Sequence, residues 1–521
     1  MALQVAAQNT VVKYSSSRFS LAMTSFSLRP HPHLYQINTY VWLESLSSKL
    51  GRTILLADVP DAEWDAIAAM GFDIVWLMGV WRRSAISAKL DLENRCVYPA
   101  YTEALPGWIP ADIIGSPYAV ASYEPDPRIG SWNDIDDVRR KLHDRRMGLF
   151  FDFVGNHTAL DHPWTSEHPE FYVQGSKNNC DPASFYKLDI PRGTVYLALG
   201  KDPYFPAWKD VAQLNHFSPE MRAAQLAELK KIAGHCDGVR CDMAMLQLNE
   251  IFEKIWRPSI GSTRVPATEF WADARKAAPE LTLLAEAYWG TEQRLIDLGF
   301  SFVYDKSLYD AVHDGCIGNV HARLSAPVDS QSHFARFLEN HDEPRFAAAF
   351  DKQRSQAVAT IMGTLPGLRF YQQGEERGVK LRTPLGLRAI AEQPTDPELK
   401  SLFAKLFAET HNDAFHEGQW KLLTIASDND GTGGNLVAYQ WRSPADRVPK
   451  VWKVIVANLS GAPAQGRLQF AGQIAPGSDY VFVDALDGAR YVRKGDELAQ
   501  LGLFVRRDAY QAHLFDVGRP Q

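Results

Sequence analysis

Gly238-Val-Arg-Cys-Asp242 is one of four short apolar runs in this chain that end in charged or polar side chains. The other three are Leu149–His157, Leu281–Glu286 and Phe334–Asp342. Short apolar runs of this kind are typical of strands buried in a parallel sheet. A parallel β/α barrel gathers its functional residues at the carboxyl ends of separate strands. The four runs therefore predict an α/β protein of the (β/α)8 TIM-barrel class, with one site at the strand ends.

Eight strand-like runs alternate with helical stretches from about residue 32 onward, which is the pattern of repeated β/α units. The predicted strands cover Tyr35–Trp42, Asp73–Met78, Gly148–Phe153, Gly238–Asp242, Leu281–Glu286, Phe300–Tyr304, His333–Glu339 and Gly367–Tyr371. Ser218 followed by Pro219 predicts the start of a helix, because serine caps a helix and proline fits its first position. A second helix is expected over about 133–146.

Two regions depart from the β/α alternation. Residues 157–210, after the third predicted strand, are rich in Pro, Asn, Asp and aromatic residues, and we expect an irregular subdomain B there, over the site. Residues 416–521 contain β-type runs between glycine-rich turns, which predict a C-terminal antiparallel β-sandwich domain. The catalytic barrel then covers 33–415. Residues 1–32 form an acid-free N-terminal extension, either disordered or a targeting segment.

Composition excludes several classes of protein. The 521 residues, 45% of them hydrophobic, suffice for a large core and an accessory domain, and the net charge of −7 argues against a nucleic-acid partner. No apolar run reaches the length of a membrane span. Five cysteines without metal-ligand spacing favour a reducing compartment over a disulfide framework. We therefore expect a soluble, cytoplasmic protein, and its oligomeric state stays open.

The four runs resemble, in order and spacing, the signature segments of the α-amylase superfamily, glycoside hydrolase family 13. Asp152-Phe-Val-Gly-Asn-His157 resembles the first segment, and Gly238–Asp242 the second. Glu286 with its apolar approach resembles the third, and Asn340-His-Asp342 the fourth. The resemblance extends over about residues 35–380. It implies a barrel enzyme that cleaves α-glycosidic bonds with retention of configuration.

The residues themselves support this chemistry. Strand periodicity puts Arg240 and Asp242 on the same face and turns Cys241 away. A guanidinium next to a carboxylate lowers its pKa by about 1 to 3 units, which suits a nucleophile that must stay anionic. Glu286 follows apolar residues 283–285, and an apolar approach raises the pKa of a carboxyl group, as a general acid requires.

The resemblance assigns a role to each residue. It implies that Asp242 is the nucleophile, Glu286 the acid/base, and Asp342 the group that stabilises the transition state. A retaining enzyme holds the nucleophile and the acid about 5 to 5.5 Å apart. Tyr118 is expected to stack beneath the reacting sugar. The other predicted substrate-binding residues are His157, Arg240, His341 and Arg345.

Two departures from the family pattern affect the prediction. Gln213 stands where the resemblance places an aspartate ligand of calcium, and a neutral amide is a poorer ligand for a hard dication. Asn156 alone cannot make a calcium site. We therefore expect no metal and no cofactor, with a structural calcium ion left open.

Met245-Leu246 replaces the Lys-His that many α-amylases carry, which favours the α-glucosidase and transglycosylase members over endo-acting α-amylases.

The leading functional prediction is a retaining α-glycoside hydrolase whose partner is a small-molecule substrate, a short α-glucoside or malto-oligosaccharide. An alternative is a transglycosylase or sugar isomerase of the same family, acting on sucrose-, trehalose- or maltose-type substrates. A third is a non-catalytic binding subunit, which the presence of all three acids disfavours. The linkage cleaved, the donor sugar and the preferred chain length stay open.

Overall fold

The structure is a computed structural model that describes residues 26–519 apart from 178–179, 428–429, 445 and 471. Eight parallel strands close into a barrel in sequential order, which confirms the predicted fold class. They are β1 (His33–Asn38), β2 (Ile74–Met78), β3 (Gly148–Phe153), β4 (Gly238–Cys241), β5 (Thr282–Ala285), β6 (Phe302–Tyr304), β7 (Phe334–Arg336) and β8 (Leu368–Gln372).

Side-chain alternation along the strands creates an inner and an outer core. Trp76, Phe150 and Leu284 fill the barrel interior, whereas Leu149 and Cys241 pack outward against the helices. This arrangement matches the layered packing of a barrel that is filled rather than hollow. Arg240 is in register with Asp152 on β3 and with Leu284 on β5, so its side chain enters the interior.

Two predicted strands extend three or four residues past the observed C-terminal ends. β1 ends at Asn38, whose side chain caps the helix Thr39–Leu50. The prediction Tyr35–Trp42 was wrong in its second half, because a short apolar run fits a helix as well as a strand. β7 ends at Arg336, and the rest of the predicted His333–Glu339 forms a loop.

Helices cover the outside of the barrel. The helix predicted from Ser218 is confirmed, with the Ser218 side chain accepting a hydrogen bond from Met221 N–H. The α-helices are Thr39–Leu50, Asp61–Ala69, Ala85–Glu93, Tyr98–Ala104, Trp132–His143, Trp164–Glu167, Pro219–Ala233, Asn249–Ile260, Phe270–Ala277, Glu292–Asp297, Lys306–His313, Ile317–Leu324, Val328–Gln331, Phe346–Ala349, Lys352–Thr364, Pro397–Thr410 and Gly495–Leu501. The 3₁₀ helices are Leu56–Asp58, Arg95–Val97, Pro110–Asp112, Pro169–Phe171, Ala244–Gln247, Glu375–Arg377, Asp413–Phe415 and Thr432–Asn435. Within the described part of the chain, none of the helices combines the length and the apolarity that crossing a bilayer requires.

An irregular subdomain follows β3, as predicted. It contains two small antiparallel pairs, His157–Ala159 with Val211–Gln213 and Phe185–Ile190 with Gly193–Ala198. A third pair, Trp81–Arg83 with Val120–Pro125, lies in the connection after β2. These pairs support the loops that rise over the strand ends.

The C-terminal region forms two antiparallel sheets that enclose their own apolar core. The six-stranded sheet has the order Gln419–Leu422, Leu436–Arg442, Trp452–Asn458, Ala512–Gly518, Asp479–Asp484 and Arg490–Lys494. The three-stranded sheet has the order Thr424–Ser427, Ala464–Gln469 and Leu503–Arg507. This confirms the predicted C-terminal antiparallel β-domain. Trp441 Nε1 donates a hydrogen bond to the Thr364 carbonyl oxygen, 2.8 Å away, and so joins this domain to a barrel helix.

The predicted N-terminal extension falls only partly within the structure. Residues 1–25 lie outside the described residues. Nearer the barrel, Phe26 stacks on His143, and Arg29 forms an ion pair with Asp73 at 2.5 Å. These contacts attach residues 26–32 to the end of the barrel opposite the predicted site.

Candidate active site

Arg240 is the centre of the site. It lies in β4, and its side chain is fully buried. Its Nη1 lies 2.6 Å from Asp242 Oδ1, and its Nη2 lies 2.8 Å from Glu286 Oε2. Asp342 Oδ2 lies 3.8 Å from the same Nη2. One guanidinium therefore holds the three predicted catalytic carboxyl groups, which follow three different strands.

Backbone hydrogen bonds fix the two central carboxyl groups just beyond the strand ends. Asp242 N–H donates to the Phe153 carbonyl oxygen, and Glu286 N–H donates to the Cys241 carbonyl oxygen, each at 3.0 Å. These bonds continue the barrel's hydrogen-bonding pattern past β4 and β5. Asp242 and Glu286 therefore belong to the rigid rim of the barrel and not to a flexible loop.

Glu286 has a hydrogen-bond donor at each oxygen. Its Oε2 accepts a hydrogen bond from Met243 N–H at 2.6 Å, and its Oε1 accepts one from the Tyr288 hydroxyl at 2.8 Å. Burial disfavours the charged form and outweighs Arg240, so the pKa of Glu286 is raised to about 7. Glu286 can therefore carry a proton near neutral pH, as a general acid does.

The other two carboxyl groups differ in ionisation. Burial raises the pKa of Asp242 above its ordinary value despite the neighbouring Arg240, so the net lowering expected from sequence was wrong. Burial also opposes ionisation of Asp342, but His341 and Arg240 outweigh it and hold its pKa well below the usual range. Because Arg240 serves three carboxyl groups, its charge does not fully offset the burial of Asp242 and Glu286.

Tyr118 and His341 form one wall of the site. Their rings stack with centroids 5.2 Å apart, and the Tyr118 hydroxyl lies 2.6 Å from His341 Nε2. His341 Nε2 also lies 2.9 Å from Asp342 Oδ2. The Tyr118 hydroxyl is 3.4 Å from Asp152 Oδ1, a buried carboxylate that also accepts a hydrogen bond from Gly79 N–H. These contacts fix the tyrosine ring that the sequence predicts as the sugar platform.

A cleft of about 650 Å³ opens above these groups. Asp242, Glu286 and Asp342 all line it. Phe205 and Trp289 also line it, although 71% and 41% of their surfaces are exposed. Exposed aromatic rings in a cleft are suited to contact the apolar faces of a ligand.

The structure brings most of the predicted residues together. The residues on the cleft wall are Asp242, Glu286, Asp342, Tyr118 and His157, with Arg240 and His341 directly behind them. Arg345 is not brought to this cleft. Its Nη2 lies 3.1 Å from Glu339 Oε1 and donates to the Gln373 carbonyl oxygen at 3.0 Å, so its guanidinium is already engaged elsewhere.

Asp152 and Tyr288 are among the polar residues of the site that sequence reasoning missed. Asp152 lies within the first signature segment, and its position on β3 in register with Arg240 was a usable signal. Tyr288 follows Glu286 by two residues, and the strand periodicity of two predicts that it returns to the same face. Both side chains contact predicted site residues through their oxygen atoms.

The residues at the expected calcium position do not fit a calcium ion. Gln213 Nε2 donates to Asn156 Oδ1 at 3.0 Å, and Asn156 Nδ2 donates to Gln213 Oε1 at 3.3 Å. Each amide oxygen therefore already accepts a hydrogen bond from the other amide. These oxygens are the atoms that a cation would need as ligands. Across the described ranges, no three His, Cys, Asp or Glu side chains are grouped as metal ligands.

Known proteins were compared with the chain. No protein-family profile matches it. The chain is 24% identical over 344 residues to Alpha-amylase MalA of Haloarcula japonica, covering 64% of this chain and 46% of that protein. It is 22% identical over 366 residues to Probable oligo-1,6-glucosidase 3 of Bacillus subtilis, covering 60% and 63%. The crystal structure of the maltogenic alpha-amylase AmyB from Thermotoga neapolitana matches with a TM-score of 0.66 at 17% identity, covering 94% of this chain and 99% of that chain.

These matches concern both the sequence and the fold. The chain spans about half to two-thirds of the length of the curated relatives it matches. The structural match shows a shared fold. Because both an α-amylase and an oligo-1,6-glucosidase are among the relatives, the finer preference for α-glucosidase members stays a prediction. Together, the matches confirm the resemblance to the α-amylase family that was found in the sequence.

Proposed function

We propose that the protein is a retaining α-glycoside hydrolase that acts on short α-glucosides or malto-oligosaccharides. The observation that carries the proposal is the shared contact of Arg240 with Asp242 and Glu286, at 2.6 and 2.8 Å, on the wall of the cleft. Retaining glycosidases need one carboxylate as nucleophile and one carboxylic acid as proton donor. Glu286, whose pKa is raised to about 7, supports the second role.

The reaction then has two steps. In the first, Asp242 Oδ attacks the anomeric carbon, the bond to the leaving oxygen breaks, and Glu286 gives its proton to that oxygen. In the second, the Glu286 carboxylate takes a proton from water, and the water oxygen attacks the anomeric carbon and releases Asp242. Two inversions give net retention. The carboxyl separation of about 5 to 5.5 Å stays a prediction.

Asp342 is proposed to stabilise the positive charge of the transition state. Its lowered pKa keeps it ionised, and 38% of its side chain is exposed toward the cleft. A fixed negative charge is favourable where an oxocarbenium-like centre develops. We propose that Tyr118, His157 and His341 contact the sugar ring and its hydroxyl groups.

The size of the cleft supports a short substrate. Its volume of about 650 Å³ lies within the range of about 300–1,000 Å³ that is usual for small-molecule sites. The name of one relative, Probable oligo-1,6-glucosidase 3, also fits a short glucoside as substrate. A small-molecule oligosaccharide is therefore the proposed partner.

A transglycosylase is the second candidate. Phe205 and Trp289 are exposed at the cleft, and Trp289 lies three residues after Glu286, the proposed proton donor. Stacking of a second sugar on these rings would place a sugar hydroxyl where water otherwise attacks. Transfer would then compete with hydrolysis in the second step.

Time-resolved NMR of the purified protein with maltose, maltotriose, isomaltose, sucrose and trehalose tests the proposal. We expect the glucosyl unit that passes through Asp242 to be released as the α-anomer, with no new linkage. New disaccharides at early times would favour the transglycosylase, and release of that unit as β-glucose, seen most clearly with the non-reducing sugars sucrose and trehalose, would contradict retention. Inertness toward all five sugars would favour the non-catalytic binding subunit.

A further inference from the structure

Tyr288 contacts the proposed proton donor directly. Its hydroxyl donates a hydrogen bond to Glu286 Oε1 at 2.8 Å, and its side chain lines the cleft. Ala287 lies between them, buried on the opposite face, and Trp289 then turns the chain with φ at +62°. The strand end therefore aims Tyr288 back at Glu286.

The other carboxyl oxygen of Glu286, Oε2, is an unfavourable position for a proton. Oε2 accepts a hydrogen bond from Met243 N–H at 2.6 Å and lies 2.8 Å from Arg240 Nη2. Both neighbours are donors only. A proton on Oε2 would compete with the Met243 hydrogen bond and lie beside the positively charged guanidinium, so Oε1 is the favoured position for the transferable proton of Glu286.

Oε1 has two lone-pair positions in the carboxyl plane. The Tyr288 hydroxyl occupies one of them. The Tyr288 hydroxyl is the donor in this contact, at 2.8 Å. Burial raises the pKa of Tyr288 well above its ordinary value, so the phenol keeps the proton that it donates. While Tyr288 donates to Oε1, the proton of Glu286 is left with the other lone-pair position of that oxygen.

We propose that Tyr288 is a positioning residue that holds the transferable proton of Glu286 toward the cleft by donating to Oε1. The inference rests on the proposed function, because it requires Glu286 to be the acid/base. In the first step the proton of Oε1 goes to the leaving oxygen. In the second step the same position receives the proton of water.

Loss of the Tyr288 hydroxyl has two expected effects. The proton of Glu286 is no longer held in one orientation on Oε1. Protonation of a poor leaving group therefore becomes slower. The ionised form of Glu286 also loses a hydrogen bond, so the pKa of Glu286 rises and the basic limb of the pH profile moves to higher pH. A bond of this type to a charged group corresponds to about 10- to 100-fold in rate.

The test compares two substrates in the variant Tyr288→Phe. Maltose needs protonation of its leaving group, whereas α-glucosyl fluoride releases fluoride without it. We expect kcat/KM for maltose to fall about 10- to 100-fold and kcat/KM for the fluoride to stay nearly unchanged. The ratio of the two values does not depend on the folded fraction of the preparation. An unchanged ratio, or a basic limb that stays in place, would overturn the inference.

Two control variants separate the possible failures. Glu286→Ala must lose maltose activity far more than fluoride activity, and if it does not, the proposed acid/base itself is wrong. Tyr172→Phe removes a buried phenol that bonds Thr158 at 2.8 Å, outside the cleft lining, and should leave the ratio unchanged. If Glu286→Ala changes the ratio and Tyr288→Phe does not, only the role of Tyr288 is rejected.

Discussion

Two arginine-centred groups of carboxyl side chains occupy the strand ends of this barrel. The cleft cluster consists of Arg240, Asp242, Glu286 and Asp342, and the buried cluster consists of Arg345, Glu339 and Glu375. Burial raises the pKa of Glu286 and that of Glu339 to about 7 in each case. Glu286 lines the cleft, whereas Glu339 is fully buried and Glu375 is 1% exposed.

The difference shows that a raised pKa and an arginine partner do not identify a catalytic group by themselves. Access to the cleft separates the carboxyl groups of the two clusters, because Glu286 lines it whereas Glu339 and Glu375 do not. Glu339 Oε2 accepts a hydrogen bond from Phe346 N–H, so one of its oxygens supports the backbone of the following loop. The buried cluster therefore has a structural explanation, and the cleft cluster has a chemical one.

Replacement of the nucleophile should have the largest effect. Asp242→Asn is expected to lower kcat by about 10⁴-fold or more while leaving the fold intact, because the amide cannot form the glycosyl–enzyme. Glu339→Gln in the buried cluster is the matched control and should retain turnover. Steady-state kinetics and circular dichroism measure both. Near wild-type activity of Asp242→Asn would show that the nucleophile is another residue.

Breaking the buried cluster should affect stability and not catalysis. Arg345→Met leaves Glu339 without its buried cation, and we expect a loss of about 3 kcal/mol in the free energy of unfolding. Urea denaturation measures this loss. The KM of the folded fraction should not change, because Arg345 lies outside the cleft lining. A raised KM with unchanged stability would return Arg345 to the substrate-binding residues.

The pH dependence of activity should report Glu286 and not Glu339. Glu286 must be protonated to donate, and its pKa is about 7, so kcat/KM should fall about tenfold per pH unit above that value. Because the pKa of Glu286 is about 7, its protonated and active form predominates below that pH. Glu339→Gln should leave this limb in place. A limb that disappears in Glu339→Gln, or a flat profile through pH 7, would contradict the assignment.

Calcium removal should have the smallest effect. Asn156 and Gln213 bond each other where the family resemblance places calcium ligands. We therefore expect the melting temperature to be the same with EDTA and with added calcium. Differential scanning calorimetry measures it. A melting temperature that rises with calcium concentration would show that a cation binds the native state.

The strands and the three carboxyl groups of the cleft cluster could be predicted because their signals are local. Each strand is a short apolar run, and Asp242 and Glu286 directly follow their strands. The boundary at Asn38 was less clear, because the apolar residues that follow it fit both a strand and a helix. Local sequence patterns therefore predicted the strands of the barrel more accurately than they predicted where each strand ends.

The position of Arg345 could not be predicted in the same way. Arg345 follows Asp342 by three residues and was predicted to bind substrate. The loop between them instead turns Arg345 toward Glu339 at the end of β7. The direction of the pKa shift of Asp242 could not be predicted from the sequence either, because it depends on how many carboxyl groups share Arg240.

Covalent labelling of the nucleophile tests the central claim most directly. A fluorinated α-glucosyl fluoride, which forms the glycosyl–enzyme faster than it is hydrolysed, would be incubated with the protein, followed by peptide mapping with mass spectrometry. The account predicts one sugar on the peptide that contains Asp242. A sugar on Glu286 or on Glu339, or active turnover without any covalent adduct, would contradict it.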